Sequence, residues 1–150
     1  IVVASRNHDS EVLLYTRLKQ PFYGCQGNLS GKVMLGESVY AAARRELKEE
    51  TNLEGMPTLF EIKHQFVHDT KTGIMLEDKF LFCFIVKNPT GDLSSLEEGR
   101  FEWVKKEDIR TFITRPFNNL DSMLAFIDRA LSFDVGPINF GEDKRETENY

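Results

Sequence analysis

Residues Glu37 to Thr51 carry no Gly or Pro and are rich in Ala, Leu, Glu, Lys and Arg. Such a run predicts a helix. Asn52 can serve as its left-handed end, and Gly55 and Pro57 block any extension. At about 100° per residue, Glu46 and Glu50 fall roughly 40° apart and Glu49 about 60° to one side of Glu46. Three carboxylates then share one patch. A charged helix face is most often a solvated lattice of Glu–Lys pairs, formed at i±3 and i±4. Around Glu46 those positions are Ala42, Ala43, Glu49 and Glu50, and around Glu50 they are Glu46, Leu47, Leu53 and Glu54. Only Glu49 has a basic partner at that spacing, Arg45. Superposed carboxylates without partners repel one another, and they make a good site for a hard divalent cation.

The helix sits among strands. Ile1 to Ser5 and Glu11 to Arg17 read as a hairpin around the polar turn Asn7-His8-Asp9-Ser10. Thr58 to His68 and Lys79 to Lys87 read as two longer strands, and Phe101 to Val104 as a short one. Lys106 to Ile113 reads as a helix ended by Arg115-Pro116. Asn118 to Leu131 reads as another, with Leu120, Leu124, Ile127 and Leu131 at helical spacing. Strands and helices in this order predict an α/β or α+β layer fold with a mixed sheet. Residues 1–135 are expected to form one domain, followed by a polar, acidic and frayed tail at 136–150. There is no Gly-x-Gly-x-x-Gly turn and no Walker-type phosphate loop.

Spacing outside the helix is more specific. Gly31 is followed after five residues by Glu37, and after seven more by Arg45-Glu46-Leu47-Lys48-Glu49-Glu50-Thr51-Asn52-Leu53. This stretch resembles the Nudix box, Gly-x5-Glu-x7-Arg-Glu-U-x-Glu-Glu-x-Gly-U, where U is a bulky aliphatic residue. Every defined position matches except Asn52, where the family has Gly. Asn tolerates the left-handed conformation better than most residues, so the helix end is expected to survive. The strand order and Leu13-Leu14-Tyr15-Thr16-Arg17 also resemble the family's pattern. The resemblance implies the Nudix fold, a mixed β-sheet sandwiched between helices.

It also implies an activity of MutT-like enzymes, hydrolysis of a nucleoside diphosphate linked to another group by water attack on the phosphoanhydride. Glu46, Glu49 and Glu50 would hold Mg²⁺ or Mn²⁺, which clamps phosphate oxygens and lowers the pKa of bound water. Gly31 would allow close approach of a ligand, Gly36 would bend the chain into the helix, and Glu37 would accept hydrogen bonds from the Arg45 guanidinium. Ser94-Ser95-Leu96-Glu97-Glu98-Gly99 resembles the family's acidic loop before a Trp-containing strand, here Phe101 to Val104. Glu97 or Glu98 is therefore a candidate metal contact or general base. Arg17, Lys32, Phe22 and Tyr23 are candidate substrate contacts, with core packing, loop anchoring or simple solvation the competing reading for each. Ser30 and Leu29 stand where many relatives have Gly and Pro, which bears on substrate choice more than on hydrolysis.

Rival readings are a Nudix-like domain that only senses a nucleotide, and an isomerase of the isopentenyl diphosphate type. The first would usually show lost box carboxylates, and none is lost. The second needs an active-site cysteine in a context that Cys25 lacks. His64 and His68 fall on one side of a strand, a spacing that does not make a zinc site. Cys83, in Phe80-Leu81-Phe82-Cys83-Phe84-Ile85-Val86, reads as a buried hydrophobe.

Charge and composition set the remaining bounds. A formal net charge of -5 argues against a broad nucleic-acid surface. Residues 31–53 nonetheless hold four acidic and four basic side chains, so the box segment admits a small polyanion delivered with its metal. The longest apolar run is far too short to span a bilayer, and two cysteines without secretory features fit a cytoplasmic location. The chain opens on Ile1 rather than Met, so the natural N-terminus is expected upstream. Family resemblance leaves a homodimer open.

Overall fold

The computed structural model describes residues 1–134 and 136–147. A seven-stranded mixed sheet forms its centre. The strands are β1 (Val2–Arg6), β2 (Glu11–Arg17), β3 (Gln26–Gly27), β4 (Thr58–Asp69), β5 (Met75–Lys87), β6 (Gly99–Lys105) and β7 (Asn139–Thr147). The helices are α1 (Val39–Thr51), α2 (Ile109–Phe112), entered through a 3₁₀ turn at Lys106–Asp108, and α3 (Leu120–Ser132). The order across the sheet is β3-β2-β1-β5-β4-β7, with β6 paired to β2. β1 runs parallel to β5, and β4 parallel to β7, while the other pairs are antiparallel.

Alternation along β1 explains the layering. Val2 and Ala4 point to the side holding Ala43, Leu47 and Leu53 of the α1 region. Val3 points to the opposite side, with Ile109, Phe126, Ile127 and Ala130 of the other two helices. The same split separates Phe84 from Cys83 and Ile85 on β5. A strand covered on both faces reads as a continuous apolar run, which is why Cys83 to Val86 are all buried. Burial pushes the Cys83 thiol up to about 11. Both cysteines are buried and free. Phe80, at the uncovered end of β5, is exposed.

Three expectations are corrected in their boundaries. The α1 helix begins at Val39, because Gly36 takes a positive φ of 79° and the Ser38 hydroxyl caps the helix by accepting from the Ala41 N–H at 3.1 Å. Glu37 therefore lies before the cap. The helical stretch at 106–113 splits into the 3₁₀ turn and the single turn of α2. Asn139–Thr147 of the expected frayed tail is a strand paired with β4 from Glu61↔Asn139 to Asp69↔Thr147. Its charges on both faces hid it from any periodicity reading. Val135 and residues 148–150 of the tail lie outside the described residues.

Asn52 ends α1 with φ 62°, its N–H donating to the Lys48 carbonyl, and its side-chain amide donates to the Asp92 carbonyl at 3.0 Å. Asn52→Gly trades that bond for a relaxed backbone. It is expected to hold stability within about 0.5 kcal/mol, whereas Asn52→Val should cost about 1–2 kcal/mol through the left-handed backbone alone. Denaturant melts of the two variants check this pair.

Candidate active site

The site grows from the loop that precedes α1. Arg45, midway along α1, reaches back across that loop. Its Nε and Nη2 donate to Glu37 Oε1 and Oε2 at 2.8 and 3.0 Å, and Nη2 also donates to the Lys32 carbonyl at 2.9 Å. Glu37 further accepts from the Met34 N–H at 3.0 Å. Hydrogen bonds from Arg45, then from that backbone N–H, hold the Glu37 carboxyl below its usual range. The partner carboxylates raise the Arg45 guanidinium above its ordinary value, Glu37 foremost. A planar fork matched to one carboxylate ties loop to helix with a geometry that Lys could not reproduce.

The same guanidinium corrects the expected charge pairing. Its Nη1 donates to Glu46 Oε1 at 2.9 Å and to Glu49 Oε2 at 3.0 Å. Glu46 therefore has a basic partner in its own helix, the residue just before it. Spacing rules for i±3 and i±4 miss that pair because the long Arg side chain folds sideways toward the loop. Glu46 Oε1 also accepts from the Lys32 N–H at 3.2 Å. This carboxylate lies directly over Gly31, where an added Cβ would stand 2.0 Å from Glu46 Cδ. Only a glycine leaves room for the side chain in that place.

Glu50 is different. Among the described residues it forms no ion pair. Its carboxyl is raised above the usual value, first by burial and then by the charges of Glu46, Glu98 and Glu49. Those charges join the acidic loop to the α1 patch. Glu98 itself is held below its usual range by Lys19, whose ammonium forms a short ion pair with it. The loop is fixed by backbone as well. Leu18 N–H and the Tyr15 hydroxyl both donate to the Glu98 carbonyl, at 3.0 and 3.1 Å. Gly99 lies under the Tyr15 ring, where a Cβ would meet Tyr15 Cε2 at 1.9 Å. Tyr15 and Lys19 were missed by sequence reasoning. Their role depends on the register Tyr15↔Phe101 and Arg17↔Gly99 between β2 and β6, which no local pattern announces.

The remaining sequence candidates fall outside the cluster. Glu97 is exposed on the same loop. Arg17 Nε donates to the carbonyls of Lys19 and Pro21, at 2.9 and 2.6 Å, so it braces the loop. Phe22 and Tyr23 are exposed on that loop, and the Tyr23 carbonyl accepts from Arg115. Lys32 contributes its backbone to the site, and its side chain is exposed. His64 pairs with Asp78 at 2.6 Å and stacks on Phe80, in keeping with a strand histidine rather than a ligand. A cleft of about 570 Å³ bordered by Arg44, Glu54, Lys87 and Phe133 contains none of the α1 carboxylates Glu46, Glu49 and Glu50. Volume alone is therefore a poor guide to the chemistry here.

Among the described residues, no three His, Cys, Asp or Glu side chains converge closely enough to enclose a metal ion. Arg45 explains part of this, since it draws one oxygen each of Glu46 and Glu49 toward itself. The donor chemistry nevertheless fits a hard cation. It consists of carboxylate oxygens alone, the preferred ligands of Mg²⁺, and Glu50 is desolvated among like charges.

Fold and site together define a Nudix domain. Residues 1–124 match the NUDIX domain family, and the chain belongs to it. It is similar in fold to the MutT protein from Bacillus halodurans, with 23% identity, TM-score 0.76, and 95% of this chain and 86% of that one covered. A MutT NUDIX hydrolase from Burkholderia pseudomallei gives 21% identity and TM-score 0.61, with 85% and 94% covered. The NUDIX domain of NrtR from Shewanella oneidensis, solved with ADP ribose, gives 18% identity and TM-score 0.64, with 86% and 82% covered. Among the described residues, no helix is long and apolar enough to cross a membrane.

Proposed function

We propose that this protein is a divalent-metal-dependent pyrophosphohydrolase acting on a nucleoside diphosphate linked to a second group, such as a nucleoside triphosphate or a nucleotide sugar. The observation that carries the reading is that Glu46 and Glu49 of α1 and Glu98 from the loop before β6 all bear electrostatically on Glu50, which has no ion pair among the described residues. Glu46, Glu49 and Glu50 would hold Mg²⁺ or Mn²⁺, which when bound neutralises phosphate charge and makes a water more acidic. Arg45 keeps Glu46 and Glu49 aligned, and Glu37 keeps Arg45 in place. With no cation bound to it, Glu50 takes a proton more readily than Glu98, because burial and like charges raise Glu50 while Lys19 lowers Glu98. Glu98 is better suited to a fixed contact beside the substrate. The NrtR NUDIX domain solved with ADP ribose supports a nucleotide ligand, and the likeness to a MutT NUDIX hydrolase supports hydrolysis.

A panel of nucleoside triphosphates, nucleotide sugars, ADP-ribose-like compounds and dinucleoside polyphosphates, incubated with Mg²⁺, tests the reading. Release of a nucleoside monophosphate, or of a nucleotide plus a phosphorylated partner, is expected from at least one class. Tight binding of a nucleotide with no product from any class would make the domain a sensor instead.

A further inference from the structure

We infer that the free edge of β7 is the contact for a second copy of this chain, joined antiparallel about Asp143 so that the two sheets run on as one. Among the described residues β7 pairs only with β4, so its other edge presents unpaired backbone N–H and C=O groups. Such an edge is a ready template for another strand. Its side chains show which strand fits. Phe140, Glu142, Lys144 and Glu146 are exposed, and Phe140 is 65% exposed at the margin of the sheet.

A two-fold axis through Asp143, perpendicular to the sheet, places Glu142 of each copy opposite Lys144 of the other. Residues directly opposite across an antiparallel pair share a face, so both pairs form on one side of the sheet. On the other face, Arg145 of each copy falls opposite Gly141, where an added Cβ would meet nothing within 4 Å. The two Asp143 carboxylates meet at the axis. Each already accepts from its own Arg145, at 2.7 and 2.9 Å, and from Gln65 at 3.0 Å, so the like charges arrive neutralised.

Other registers oppose more like charges or overlap less of the strand. A slip of one residue turns every side chain to the wrong face. Moving the axis to Lys144 pairs Asp143 with Arg145 but sets lysine on lysine and Glu142 on Glu146, and moving it to Glu142 sets glutamate on glutamate. An axis at Arg145 pairs Lys144 with Glu146 but sets arginine on arginine and overlaps only residues 143–147 of the strand. Glu142 and Lys144 are thus complementary across the Asp143 axis, the register that overlaps the whole of Asn139–Thr147.

Sedimentation or light scattering of the wild-type chain at micromolar to hundred-micromolar concentration is the test. The expected mass at the upper end is twice the 17.3 kDa of one chain. Lys144→Glu turns both cross-pairs repulsive and should weaken the dimer roughly tenfold or more. The swap Glu142→Lys with Lys144→Glu restores both pairs and should restore the dimer, which separates lost pairing from lost folding. A monomeric wild type would overturn the inference. So would a dimer indifferent to Lys144→Glu, or one that the double swap fails to rescue.

Discussion

Glu50→Gln is expected to lower metal-dependent turnover by about 10²- to 10⁴-fold through loss of an anionic metal ligand or proton acceptor, and at the same time to make the folded chain more stable at neutral pH. Burial and the charges of Glu46, Glu98 and Glu49 raise the Glu50 carboxyl above its usual value. An acid that is harder to ionise when folded than when unfolded binds more protons in the native state. Native stability then falls as pH rises from the usual carboxylate value through the raised one. Glutamine is neutral throughout, so this loss disappears. The thermal midpoint of the variant should exceed that of the wild type near neutral pH, and the gap should close toward about pH 4. Excess Mg²⁺ should narrow the gap from the other side by stabilising the wild type through binding. Parallel melts at the two pH values, with turnover measured on the same preparations, check both halves. Full activity in the variant would remove Glu50 from the chemistry. A lower midpoint at neutral pH would mean that the carboxylate stabilises the fold after all.

Gly31→Ala is expected to reduce turnover by about 10²-fold with little change in stability. The new Cβ would occupy the place of the Glu46 carboxylate, 2.0 Å from Cδ and 2.4 Å from Cγ and Oε1. Those atoms are the far end of a flexible side chain, so the clash is relieved by swinging Glu46 away rather than by moving backbone. The swing breaks the bonds to Arg45 and to the Lys32 N–H. Displacement of a reacting group by about 1 Å is enough for a loss of this size. Steady-state kinetics beside a denaturant melt separates the two quantities. An active Gly31→Ala enzyme would show that the position of Glu46 is immaterial. A large loss of stability would assign Gly31 to folding rather than to the site.

The parts of this molecule that sequence made legible are those in which local chemistry decides the outcome. Residue composition, the Asn52 end and the spacing from Gly31 to Leu53 placed α1 and its carboxylates, because helix propensity and helix geometry act within a few residues. The covered strand at Cys83 to Val86 was equally visible as an apolar run. What escaped depends on contacts between distant segments. β3 is two residues long and exists through its pairing with β2. β7 is charged on both faces, and its partner β4 makes it a strand. Lys19 and Tyr15 reach Glu98 across a β2–β6 register that neither strand encodes alone. Even the Arg45–Glu46 pair, between adjacent residues, arises because the loop carrying Glu37 and Lys32 pulls the guanidinium to one side.

Turnover of the substrate panel by the wild-type chain, followed with Mg²⁺, then with a chelator, and again with Mg²⁺ restored, reads the carboxylate centre most directly. Hydrolysis of the phosphoanhydride should appear with the metal, vanish with the chelator and return on restoration. Hydrolysis that persists undiminished in the chelator would contradict a centre built on Glu46, Glu49 and Glu50.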